Sequence, residues 1–82
     1  MSSSTSAIYR RLRTLIAETL GVDEDEVVPE ASYEDDLNAD HQDLAELMVA
    51  IEEEFDVEID EEEMANLTTV GETIEFLEER LA

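Results

Sequence analysis

Apolar residues along this chain fall into four groups, and the spacing inside each predicts a helix. Ile8, Leu12, Leu15, Ile16 and Leu20 recur at steps of three and four, one stripe of a helix over about residues 5–20. Gly21 follows directly, the residue type best suited to the left-handed turn that closes a helix. Leu44, Leu47, Met48, Ile51 and Phe55 repeat at i, i+3, i+4, i+7 and i+11, which is one buried face of a second helix. Asp40 suits its N-cap, and the helix is expected to end near Phe55. Glu46, Glu52 and Glu53 lie off that face, while Ala45 and Val49, four apart, form a small apolar strip beside the acids. Asp60 and Glu63 have the spacing of a capping box and introduce a short helix around 61–66. Thr69 and Glu72 repeat the pattern before a final helix carrying Val70, Ile74, Leu77 and Leu81. Gly71, in the first turn of that helix, reads as a mild local cost.

The first two helices are separated by residues 22–39, more chain than a small domain usually leaves irregular. Val22, Val27, Val28, Tyr33 and Leu37 must turn inward to order it. A connection of this length points to a functional site nearby. Residues 1–5 read as a flexible tail. The expectation is an all-α fold, one domain over residues 1–82, built as a small four-helix bundle with a short third helix and a long first loop.

Composition narrows what such a bundle can do. The chain has 82 residues and 25 acidic side chains against 4 arginines, with no lysine, for a formal net charge of −21. A phosphate backbone would be repelled at nearly every approach, so nucleic acid is excluded as a partner, and an anionic membrane surface is disfavoured for the same reason. High net charge favours disorder, but 43% hydrophobic content arranged as helix faces opposes it. There is no cysteine, hence no disulfide, no thiol nucleophile and no zinc knuckle. Apolar runs are too short for a spanning helix and no leader-like segment opens the chain, so a soluble, cytoplasmic monomer is expected.

The second helix and its flanks resemble the acyl carrier protein family. The resemblance rests on Glu34-Asp35-Asp36-Leu37-Asn38-Ala39-Asp40 and then Asp43-Leu44-Ala45-Glu46-Leu47-Met48-Val49-Ala50-Ile51-Glu52-Glu53-Glu54-Phe55. Leu20-Gly21-Val22, the run from Val27 to Tyr33, Val57-Glu58-Ile59 and Leu67-Thr68-Thr69-Val70 extend it without a gap over about residues 7–80. What it implies is a right-handed four-helix bundle that shelters an acyl chain. In that family an Asp-Ser-Leu triplet opens the second helix, and its serine carries 4′-phosphopantetheine. Here the triplet reads Asp40-His41-Gln42, and the glycine usual three positions before the serine is Asn38. The transfer requires a hydroxyl oxygen at the helix start, beside a metal-bound pyrophosphate. A histidine nitrogen yields at most a labile phosphoramidate, and Ser32 and Thr14 lie elsewhere. By this resemblance the attachment site is lost and no prosthetic group is expected.

Twenty of the 41 residues from Asp23 to Glu63 are acidic and none is Lys or Arg. One-signed charge beside an apolar strip suits docking to a basic partner, with fast, salt-sensitive association. By resemblance the partner face comprises Asp40, His41, Gln42, Asp43, Ala45, Glu46, Val49, Glu52 and Glu53. The partner it implies is the basic surface of an enzyme of lipid or polyketide-type metabolism. His41 itself reads as a bland surface residue, a remodelled recognition residue, or a phosphohistidine or metal ligand. Asp36-x-Asn38-x-Asp40 imitates the start of a calcium loop, but His41 stands where its glycine belongs and Leu47 where its glutamate belongs. No specific metal site is expected; Asp36, Asp40, Glu52 and Asp56 are candidates for weak divalent binding. Arg10, Arg11, Arg13 and Arg80, near the two chain ends, are expected to pair with Glu72, Glu75, Glu78 or Glu79. No polar pocket is defined, so no enzyme activity is expected. The leading expectation is an interaction or regulatory module without a carried acyl group. A genuine or variant carrier and an acidic divalent-ion-binding protein remain as alternatives.

Overall fold

The structure is a computed structural model that describes residues 3–81, with side chains from residue 7 onward. Four helices follow in order: α1 (Ser3–Leu20), α2 (His41–Phe55), α3 (Glu61–Asn66) and α4 (Val70–Leu81). The described residues contain no strand; one isolated antiparallel bridge joins Ser32 to Thr69. The four predicted helices are therefore present, the third short, and α1 packs against both α2 and α4.

Helix ends are set by local chemistry. Gly21 adopts φ 71°, and the N–H groups of Gly21 and Val22 both donate to Ala17 O, closing α1. Asp40 and Asp43 form a reciprocal capping box at the start of α2, the side chain of each accepting from the other's N–H. Asp60 and Glu63 repeat the device for α3. At α4, Thr69 Oγ1 accepts from Glu72 N while Glu72 Oε1 accepts from Thr69 N. The structure extends α1 to Ser3, into the segment expected as tail. No proline or glycine interrupts residues 3–7, so each further residue adds a hydrogen bond to a helix already nucleated. Residues 1 and 2 of that expected tail lie outside the described residues.

One core runs through the molecule. Leu12 and Ile16 of α1, Leu47 and Ile51 of α2 and Val70 and Leu77 of α4 are buried within it. The long connection is folded against this core. A 3-10 turn over Glu24–Glu26 drops Val27 inward, and Ala31, Tyr33, Leu37 and Ala39 follow it. Tyr33 N donates to Thr68 O and Val70 N to Ala31 O, which ties the connection to the α3–α4 junction.

Four further expectations are corrected. Val28 is 41% exposed, because the turn that buries Val27 points its neighbour outward. Leu81 is 44% exposed, one turn beyond Leu77 at the very end of α4. Gly71 serves a close backbone approach that its helix position alone does not reveal. Its N–H donates to Pro29 O at 2.8 Å, and a Cβ placed there would stand 3.0 Å from the same oxygen. Three of the four arginines pair with acids outside the expected set: Arg11 bonds Glu54, Arg13 lies 3.4 Å from Glu24, and Arg80 pairs with Glu63. Each also lies over an aromatic ring, respectively Phe55, Tyr9 and Phe76.

Candidate functional site

His41 is the first residue of α2, immediately after the Asp40 cap, and its side chain is exposed. It stands on the rim of a cavity of about 530 Å³ between the long connection, α2 and α3. Leu44, Met64 and Leu67 supply apolar wall, and Ala45 and Ala65 leave the space open because neither side chain reaches across it. The ionisable groups that line it are Tyr33 and Glu34 from the connection, His41, and Glu61 from the first turn of α3. Ser32 and Thr68 bring hydroxyls to the same cavity, but both are engaged. Ser32 Oγ accepts from Asp35 N, and Thr68 Oγ1 donates to Glu72 Oε1 at 2.7 Å.

That cavity was not legible as a pocket. Leu44 reads as one more member of the α2 stripe, yet it is only half-buried because it faces the opening. The available signal was the pair of small residues Ala45 and Ala65, which leave the space beside Leu44 and Met64 unfilled.

Of the residues expected at the partner face, Asp40, His41, Gln42, Ala45, Glu46, Val49 and Glu53 are exposed. Asp43 and Glu52 are half-buried and already used. Asp43 closes the capping box, and Glu52 Oε2 accepts from Ile59 N at 2.8 Å, fastening the α2–α3 connection. The weak divalent candidates are likewise dispersed. Asp36 Oδ2 accepts from Ser32 N, Asp40 caps α2, Glu52 holds Ile59, and Asp56 sits in a left-handed C-cap at φ 56°. Among the described residues, no group of three or more His, Cys, Asp or Glu side chains gathers as a metal site. No helix among the described residues is long and apolar enough to cross a membrane.

Asn38 adopts φ 57°, a left-handed conformation that asparagine tolerates better than most residues. The resemblance places a glycine there, and the backbone requirement explains why asparagine serves in its stead.

A four-helix bundle with an acidic, capped second helix and an apolar cavity at its start is a recognisable class of small protein, and comparison with known sequences and structures agrees. Residues 10–77 match the family model described as a phosphopantetheine attachment site. The acyl carrier protein of Thermosynechococcus vestitus is 46% identical over 77 residues, covering 94% of this chain and 95% of that one. The solved structure of the acyl carrier protein from Enterococcus faecalis, described for its high thermal stability, superposes with a TM-score of 0.75 at 26% identity. It covers 94% of this chain and 95% of its own. The chain belongs to the acyl carrier protein family.

Proposed function

We propose that this chain is an interaction module of the acyl carrier type that carries no phosphopantetheine, and docks a basic partner of lipid or polyketide-type metabolism through α2. The observation that carries the reading is the residue opening α2, His41. A phosphodiester to the prosthetic group needs a hydroxyl oxygen at that point, and an imidazole nitrogen cannot replace it with a stable bond. The nearby hydroxyls of Ser32 and Thr68 lie across the cavity on other elements, each in a hydrogen bond. The residues present therefore do not fit the group. Gln42 puts an amide where the family presents leucine, consistent with a surface altered for a different partner.

Docking is supported by charge and exposure together. Glu46 and Glu53 flank the exposed Ala45 and Val49, and no Lys or Arg lies between Asp23 and Glu63. In this reading the protein has no catalytic role and acts as a monomer in the cytoplasm.

The test is intact mass after incubation with coenzyme A and a broad-specificity phosphopantetheinyl transferase. No mass gain is expected, and His41→Ser with Gln42→Leu should restore labelling. The second reading, a working carrier with another attachment point, is favoured by the family match itself. Addition of one phosphopantetheine to the unaltered chain would establish it and defeat the first.

A further inference from the structure

We propose that Arg80 is a latch through which the last turn of α4 keeps α3 helical, so that α3 opens as a unit of its own when that contact is lost. α3 has little with which to hold itself. It is six residues long and none of them is buried, whereas helices shorter than about 12 residues are marginal in water on their own. Asp60, Glu61, Glu62 and Glu63 place four consecutive acids at its start. The helix dipole favours acids there, but each repels its neighbours.

Arg80 meets both deficits. Its Nη1 donates to Glu58 O at 2.9 Å, in the turn that leads into α3, and its Nη2 pairs with Glu63 Oε2 inside the helix. The guanidinium lies 4.5 Å over the Phe76 ring, one turn earlier on α4, which fixes its direction. Among the described residues this is the single ion pair that α3 makes. Glu63 couples the pair to the helix itself. Its Oε1 accepts from Asp60 N at 3.1 Å and completes the capping box, while its Oε2 faces Arg80. One carboxylate thus caps α3 and ties it to α4. The other anchors lie just outside the helix: Ile59 N donates to Glu52 Oε2 at 2.8 Å, and Leu67 is buried. They hold the two ends of the segment in place while the turns between them open.

Amide hydrogen exchange of the full chain, followed residue by residue by NMR, is the test. The reporters are Met64 N–H, bonded to Asp60 O, and Leu67 N–H, bonded to Met64 O. Arg80→Gln should speed their exchange about fivefold, the scale of one net hydrogen bond, and leave the amides of Leu47 and Ile51 in α2 unchanged. Arg80→Lys should recover part of the protection, since an ammonium keeps the charge but not the fork or the stacking. Glu63→Gln keeps an oxygen for the cap and should also speed α3 alone. Combined with Arg80→Gln it should add nothing further, because both changes break the same contact. Arg11→Gln removes an equal charge at the end of α2 and should leave α3 exchange as it is. Exchange in α3 that stays at the parent rate in Arg80→Gln, or that rises equally in all helices, would overturn the latch. So would equal acceleration of α3 by Arg11→Gln, which would assign the effect to net charge, or multiplied effects in the double variant.

Discussion

The hydroxyls of Tyr33 and Thr73 meet 2.6 Å apart, both side chains fully buried, 40 residues from each other in sequence. Thr73 Oγ1 also donates to Thr69 O, at 3.2 Å. Its proton is therefore spent on that carbonyl, and Tyr33 is the donor in the pair. The long connection is thus pinned to the first turn of α4 by a relay in which every polar atom has a partner.

The relay predicts an alkaline weakness. Burial pushes the Tyr33 phenol far above its usual range, the Thr73 hydroxyl opposes this only in part because it can turn to donate to the phenolate, and the Glu72 charge adds to the rise. A folded-state pKa raised above the unfolded value near 10 means that the stabilisation is complete below about pH 10 and is lost as pH rises beyond it. Tyr33→Phe should cost about 1 kcal/mol at neutral pH by removing one buried hydrogen bond. The same variant should lose less stability than the parent between neutral pH and strong alkali. Urea unfolding at several pH values measures both.

Gly71→Ala makes the opposite sense of prediction from the usual rule. In an exposed helix interior the change gains up to about 1 kcal/mol. Here the new methyl would stand 3.0 Å from Pro29 O and stretch the Gly71–Pro29 hydrogen bond. Destabilisation by about 1 kcal/mol is expected, read as a lower midpoint in thermal unfolding.

Glycine 71 also shows where sequence reasoning stops. Four helices and their caps were readable because caps and stripes are local: Gly21, Asp60 with Glu63 and Thr69 with Glu72 each act within a turn. The Asp40–Asp43 box was only half visible, since aspartate replaces the usual glutamate at its third position. The contact of Gly71 with Pro29, the partners of the arginines and the cavity beside His41 depend on which distant segments meet. Periodicity carries no information about that. Val27 and Val28 make the same point, since adjacent valines in one loop take opposite fates through a single 3-10 turn.

Asp56 closes α2 in a left-handed conformation, φ 56° and ψ 51°, with a negative charge at the negative end of the helix. Asp56→Gly relieves both and should stabilise the fold by about 0.5–1 kcal/mol, the lost unfolded-chain restriction taking back part of the gain. Asp56→Asn, which keeps a tolerant side chain and removes the charge, should recover a smaller part. A difference in denaturation midpoint between the two variants separates backbone from charge.

Glu72 holds the opposite kind of carboxylate. One oxygen accepts from Thr68 Oγ1, Thr68 N and Thr69 N, and these bonds, the Thr68 hydroxyl first, hold its pKa below 4.5. A depressed folded-state pKa contributes stability that is present above the unfolded value and is lost as pH falls through the folded one. Glu72→Gln should therefore melt below the parent at neutral pH, and the gap should close on acidification below pH 4.5. A gap that stays constant across that range would show that the hydrogen bonds, and not the charge, carry the contribution.

Arg11 serves three roles with one side chain. It donates to Glu54 O at 2.7 Å, pairs with Glu54 Oε2 at 3.2 Å and lies 4.5 Å over the Phe55 ring. α2 has no basic residue in its own last turn, so α1 supplies the cation that its carbonyl end favours. The pair is half exposed, so its Coulomb part is small and screened. The ring contact and the carbonyl bond are what distinguish arginine from lysine at this position. Arg11→Ala should cost about 1–2 kcal/mol and Arg11→Lys roughly half of that. Removing one of only 4 positive charges from a chain of net −21 also adds repulsion. The loss in Arg11→Ala should therefore be larger at about 0.01 M salt, where charges interact over some 30 Å, than at 0.1 M or above. Thermal unfolding of parent and both variants across that range of salt is the measurement. A loss independent of salt and equal for alanine and lysine would reduce the role of Arg11 to the carbonyl bond and the ring geometry that only a guanidinium provides.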